Sequence, residues 1–296
     1  MSNPAGVTPY REFGRLMVAW VVATAFALIG LDAVAGIANT KHNLSSTGLA
    51  ANVRTTTGTA EICVFCHTPH AAAGTTALQV PLWNKNLPVV GSYTTYQSLN
   101  SSTIDGTMTT VGSVSLACLS CHDGTQAMDN IINAPGYGGY DATGGGPLGL
   151  SYTWSSGTTA GRVDADGRMT NATTTLSMLG SDLSNDHPIG IQYCGGGPTS
   201  TTPAAACRDG DFVAPQNATI NSNLVWWVDT SVGTAATREK TDMILYTRSF
   251  GGTNSPSVEC ASCHDPHVES GTGSSGATFL RIANTGSAVC LACHVK

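Results

Sequence analysis

Apolar positions along this chain seldom keep a helical or a strand period for more than a few residues. The longest apolar run covers residues 16–29, follows Arg11 and Arg15, and leads to Ala33-Val34-Ala35 just before Gly36. A basic start, an apolar middle and a small-residue end predict a secretory signal peptide over residues 1–35, removed on export. The other reading is a retained anchor, but a run of fourteen residues falls short of the roughly 20 needed to cross a bilayer. No later segment is long and apolar enough to span a membrane, so the mature chain is expected outside the cell or in the periplasm. Leu224-Val225-Trp226-Trp227-Val228 is the most strand-like run and is expected in a core, with an exposed partner surface as the alternative. Residues 136–181, rich in Gly, Thr and Ser, predict loop with short strands. Asp164-Ala165-Asp166-Gly167 resembles part of a calcium loop without its later ligands, and Asp209 and Asp211 are no better placed, so both predict turns.

Composition sharpens this picture. Only 11% of residues are charged and 6% are aromatic, while Gly numbers 34, so helix and strand content should be low and something other than an aliphatic core must organise the chain. A formal charge of -6 without a basic stripe excludes a nucleic-acid partner. No nucleophile elbow, phosphate loop or zinc-protease motif points to an enzyme.

The chemistry lies in the cysteines. Eight of the ten fall in four copies of C-x-x-C-H: Cys63 and Cys66 with His67, Cys118 and Cys121 with His122, Cys260 and Cys263 with His264, Cys290 and Cys293 with His294. This is the haem c attachment motif. Two thiols three residues apart lie on one side of a helical turn and can bond the two vinyl groups of one porphyrin, while the adjoining His reaches the iron. Two four-cysteine zinc sites are the competing reading, but zinc does not require His after every second Cys. The remaining pair, Cys194 and Cys207, is expected to form a disulfide, with reactive thiols as the alternative.

Of eight His in the chain, four are the proximal ligands. His42, His70, His187 and His267 are left for the remaining axial positions, which predicts four covalent haem c groups with bis-His iron, although Met could replace one distal His. The order of these residues repeats: His42, Cys63 to His70 and Cys118 to His122, then His187, Cys260 to His267 and Cys290 to His294. The expected organisation is a signal peptide at 1–35, a diheme module at 36–134, a connector at 135–184 and a second diheme module with the disulfide loop at 185–296, around a haem-packed core. His70 and His267, in C-H-T-P-H and C-H-D-P-H, are too close in sequence to reach the far side of their own haems. They are expected to serve the other haem of their module, the ones attached beside His122 and His294.

Lys41-His42-Asn43-Leu44-Ser45, Cys63-Val64-Phe65-Cys66-His67-Thr68-Pro69-His70, Asn185-Asp186-His187-Pro188-Ile189-Gly190 and Cys260 to His267 together resemble multihaem cytochromes with doubled C-x-x-C-H motifs. Within these they are similar to extracellular tetrahaem cytochrome filaments, or nanowires, of the OmcE type. The resemblance implies a polymer of the chain with itself, in which His42 completes an iron site of the neighbouring subunit, and long-range transfer of respiratory electrons to redox partners or acceptors outside the cell. A soluble periplasmic electron shuttle is the alternative, and a haem reductase a more distant one.

Overall fold

Sequence as poor in periodicity as this leaves most of the backbone to turns, and the computed structural model bears that out. It describes residues 36–70, 80, 82–99, 101–136, 138–171, 177–230, 232–268 and 279–295. The expected signal peptide lies outside the described residues. Among those described, no helix is long and apolar enough to cross a membrane.

Among the described residues three short α-helices occur, and each carries haem-motif cysteines: α1 (Ser113–His122), α2 (Cys260–Cys263) and α3 (Ala288–Cys293). The first motif starts instead on a 3-10 turn, Cys63–Phe65. A two-stranded sheet pairs β1 (Arg54–Thr55) with β2 (Trp154–Ser155), the latter within the expected connector. Asp164 accepts the N–H groups of Asp166 and Arg168 at 3.0 and 2.8 Å, and Gly167 takes a positive φ of 78°, which makes this segment a turn.

The C-terminal half holds more sheet than the sequence suggests. β3 (Ile191–Gln192), β4 (Gln216–Ile220), β5 (Asn223–Val228), β6 (Met243–Phe250) and β7 (Thr253–Val258) form an antiparallel sheet in the order β3-β7-β6-β5-β4. Both tight hairpins have two central residues with positive φ, Asn221 and Ser222 at 49° and 65°, Gly251 and Gly252 at 58° and 86°. Such turns match the twist of the strands they join. β3 pairs only with Ser257 and Val258, so Pro256 lies on a stretch of β7 where a missing N–H is tolerated. The run read as a strand is β5, with Trp226, Trp227 and Val228 buried and the Trp226 indole N–H donating to Thr247 Oγ1 at 3.2 Å.

Three apolar clusters carry the packing, and motif cysteines edge each of them. Trp83, Val111, Leu116, Leu119 and Leu183 pack with Cys66 beside α1. Tyr193, Trp226, Val228, Met243 and Leu245 pack under the sheet with Cys263 and Cys293. Val64, Phe65 and Ile131 pack with Cys66 and Trp154. Cys194 and Cys207 form the expected disulfide, with Cys194 buried in the second cluster. From Ile37 on, the chain makes one compact unit.

Polar groups join its parts. Lys85 is fully buried, and its ammonium donates to the carbonyls of Ala127, Met128 and Asn130 at 3.0, 3.1 and 3.2 Å. That ties the segment after the first motif to the one after α1. Glu259, just before α2, accepts from Ser115 Oγ on α1 at 2.5 Å and from Arg248 Nη1 on β6 at 2.6 Å. Burial pushes the Glu259 carboxyl above its ordinary value, against the pull of Arg248 and the hydroxyls of Ser115 and Ser257.

Candidate functional site

Each motif is a helical turn that ends at its His. The N–H groups of His67, His264 and His294 donate to the carbonyls of Cys63, Cys260 and Cys290 at 2.8, 3.2 and 2.9 Å. After α2 and α3 the backbone turns extended at His264 and His294, which swings the imidazole off the helix axis. All eight motif cysteines are outside any disulfide, in contrast to Cys194 and Cys207.

The motif thiols adjoin one another in chain order. Burial pushes the Cys66 thiol up to about 12, and neighbouring Cys121 adds to this. Cys118 lies beside Cys260, and that contact together with burial raises Cys118. Burial also raises Cys263, helped by Cys260 and Cys290, and lifts Cys293 to about 12 with Cys263 nearby. The first motif thus neighbours the second, the second the third and the third the fourth. Cys63 and Cys290, one in each end motif, are the exposed cysteines of the array.

The histidines show whether these residues suit an iron porphyrin. A ligating imidazole commonly donates its other ring N–H to a carbonyl or carboxylate, which leaves a bare nitrogen for the metal. His122 Nδ1 lies 2.7 Å from Ser177 O, His42 Nδ1 3.2 Å from Pro266 O, His187 Nδ1 3.1 Å from Pro188 O and His267 Nδ1 3.2 Å from Asp265 Oδ1. Carbonyl and carboxylate oxygens only accept, so Nδ1 carries a proton in all four and Nε2 is the nitrogen left for a metal when the ring is neutral, although Asp265 raises the His267 pKa and so favours its charged form. Desolvation lowers His42 to about 4, aided by His122, and also lowers His122. Both are therefore neutral at pH 7, the form that binds metal. The donor set fits haem c: paired thiols on a turn, an adjoining His, and imidazoles presented as the right tautomer.

Six of the eight predicted ligands come together in pairs. His67 and His267 have ring centroids 6.2 Å apart and His42 and His122 likewise 6.2 Å. Part of the His187 ring reaches solvent, yet desolvation lowers its pKa and nearby His294 lowers it further. Phe212 packs on the His294 ring at 4.5 Å. His70 is exposed, with its carbonyl holding Thr68 Oγ1 and Asn133 Nδ2 at 2.9 and 3.0 Å. His264 bridges to Leu280 and lies near enough to His42 to depress it.

Two ring placements bear on the expected distal ligands. His267 faces His67, from the first motif, and not His294 of its own module. The His42 ring lies 6.2 Å from that of His122 of the same chain and stacks on Phe279 at 4.1 Å. In both cases the reason is the turn at Asp265-Pro266-His267, which packs against residues near the N-terminus. Sequence reading missed Asp265 and Pro266 as anchors, although C-H-D-P-H differs from C-H-T-P-H at that very position. It also missed Glu259, whose signal was a lone acid directly before a motif in a chain with few charges.

Comparison with known proteins agrees with this chemistry. No curated protein matches the chain. Residues 255–296 match the family model described as a doubled CXXCH motif, a span that holds the third and fourth motifs and His267. That match indicates a multihaem c-type cytochrome, a carrier of covalently bound haem c suited to electron transfer.

Proposed function

We propose that the chain carries four haem c groups with bis-His iron and works as an electron relay, not as an enzyme. The observation that carries this reading is the run of adjoining motif thiols, in chain order, with an exposed cysteine at either end. Bound haems supply one-electron carriers that need no proton or group transfer at the protein. The chain's residues do the rest. Motif turns hold both thiols on one side, and the contacts between consecutive motifs set attachment points side by side. Nδ1 hydrogen bonds orient the imidazoles, so that no iron position needs to open to substrate.

The reading extends to an exported chain that polymerises into an extracellular filament carrying respiratory electrons to outside acceptors. Resemblance to tetrahaem filaments supports this, as does the exposure of Cys63 and Cys290, which would let the end of one array meet the start of the next. Because the His42 ring lies 6.2 Å from that of His122 of the same chain, the proposed junction rests on contact between array ends. Negative-stain images of secreted protein test it. Unbranched filaments whose oxidised haems are all low-spin support the reading; a monomer at every concentration returns the chain to the soluble shuttle class.

A further inference from the structure

We propose that His267 and His42 are the distal ligands of the irons held by His67 and His122, within one chain, and that the two sites have opposite ring arrangements. This rests on the haem c reading above and assigns which residues complete two of its sites.

The geometry argues for ligation over simple ring packing. A metal-to-imidazole nitrogen bond is about 2 Å, and a ring centre lies about 1 Å beyond its nitrogen. Two imidazoles on opposite sides of one metal ion therefore place their centroids roughly 6 Å apart. Both pairs stand at 6.2 Å. Where two rings in this protein do pack face to face, as His42 and Phe279 do, the centroids close to 4.1 Å. The near-parallel His67 and His267 rings thus stand well outside face-to-face packing distance.

One tripeptide holds both distal rings. Asp265 Oδ1 accepts from His267 Nδ1, and Pro266 O accepts from His42 Nδ1. Each contact orients one ring through Nδ1 and leaves Nε2 as the nitrogen directed to a metal. Phe279 covers the other face of His42, while the Trp83 ring meets the edge of His67 at 6.0 Å. In C-H-T-P-H the equivalent Thr68 donates to the His70 carbonyl and not to a ring. The two tripeptides therefore do different work despite their matched spacing.

The pairs differ in twist. His67 and His267 are 12° from parallel, whereas His42 and His122 are crossed at 77°. Parallel imidazoles interact with one of the two iron d orbitals of π symmetry more than the other and split them, which produces an ordinary rhombic low-spin signal. Crossed imidazoles act on both alike and leave them nearly equal, which produces a strongly anisotropic signal with a large maximal g value. The oxidised protein should show both kinds.

The experiment is electron paramagnetic resonance on oxidised holoprotein, wild type and variants, after intact mass has counted the haems. A mass short of four haems defeats the tetrahaem reading, while the pairing is decided separately by the spectra. His267→Ala should convert one iron to high-spin at the expense of a rhombic component and leave the large-g component in place. His42→Ala should remove the large-g component. In a Cys63→Ala/Cys66→Ala background, which lacks the first haem, His267→Ala should create no further high-spin iron. New high-spin iron there, or loss of the large-g component in His267→Ala, overturns the assignment. If the doubly substituted background does not accumulate, His267→Met in the full holoprotein decides. A far-red sulfur-to-iron band, gained as a rhombic component is lost, supports the pairing; the same band gained at the cost of the large-g component refutes it.

Discussion

Replacing Lys85 by Met tests how the first two motifs are held in register. Met keeps the length and apolar stem of Lys85 but has no donor for the carbonyls of Ala127, Met128 and Asn130, which the ammonium reaches at 3.0, 3.1 and 3.2 Å. Ala127 O retains the Asn130 N–H at 3.0 Å, so two of the three carbonyls lose their main partner. An unsatisfied buried carbonyl costs about 1–3 kcal/mol, which gives about 4 kcal/mol for the pair. Relief of the buried ammonium's desolvation offsets part of this, leaving a loss of about 3 kcal/mol. Asp129 would suffer as well, because burial raises its carboxyl and Lys85 is one of the groups that pull it back. Asn84, next in the chain, donates from its N–H to Cys66 O at 2.9 Å and from Nδ2 to Val64 O at 2.7 Å, so the loosening should reach the first motif. Guanidinium unfolding of the oxidised holoprotein, followed by Soret absorbance and far-ultraviolet circular dichroism, reads the change. A shift worth under about 1 kcal/mol, the size of an ordinary surface change, would refute the claim that Lys85 is the tie between these segments.

Two further outcomes follow from groups away from the irons. Changing Cys194 and Cys207 together to Ser opens a disulfide with a sequence separation of 13 and should lower stability by about 3 kcal/mol in denaturant unfolding, with haem content unchanged. Glu259 has a folded pKa above its ordinary 4.5 because of burial, so its charged form is the costlier one. Stability should therefore fall as pH rises from 4.5 through that raised value and then level off. Unfolding curves of Glu259→Gln over the same range should lack that limb; an unchanged limb means that another group is responsible.

The sequence made the attachment chemistry legible because C-x-x-C-H is local: both thiols and the His belong to one turn, and the structure builds that turn at all four motifs. Cys194 and Cys207 were equally readable, as the pair left over once the motifs are set aside. β5 was legible from its own apolar run, whereas the rest of the sheet was not. β4 is largely exposed and β7 contains Pro256, so neither has the alternation that marks a strand, and both are held by hairpin turns. The proximity of His67 and His267 was hidden for a different reason. His67 and His267 lie two hundred positions apart, and what joins them is packing of the Asp265-Pro266-His267 turn, which spacing within a module cannot report. The repeat suggests partners inside each module, whereas the rings of His67 and His267 approach each other between the two expected modules.

Intact mass spectrometry of the purified, unreduced protein under denaturing conditions tests the central claim most directly. Four thioether-bound haems use all eight motif cysteines and leave the Cys194–Cys207 disulfide as the other cysteine product. The account predicts a polypeptide mass increased by four haems, with no thiol open to alkylation. A mass with fewer haems and a matching set of alkylated motif cysteines, or a zinc-loaded protein without colour, would contradict it.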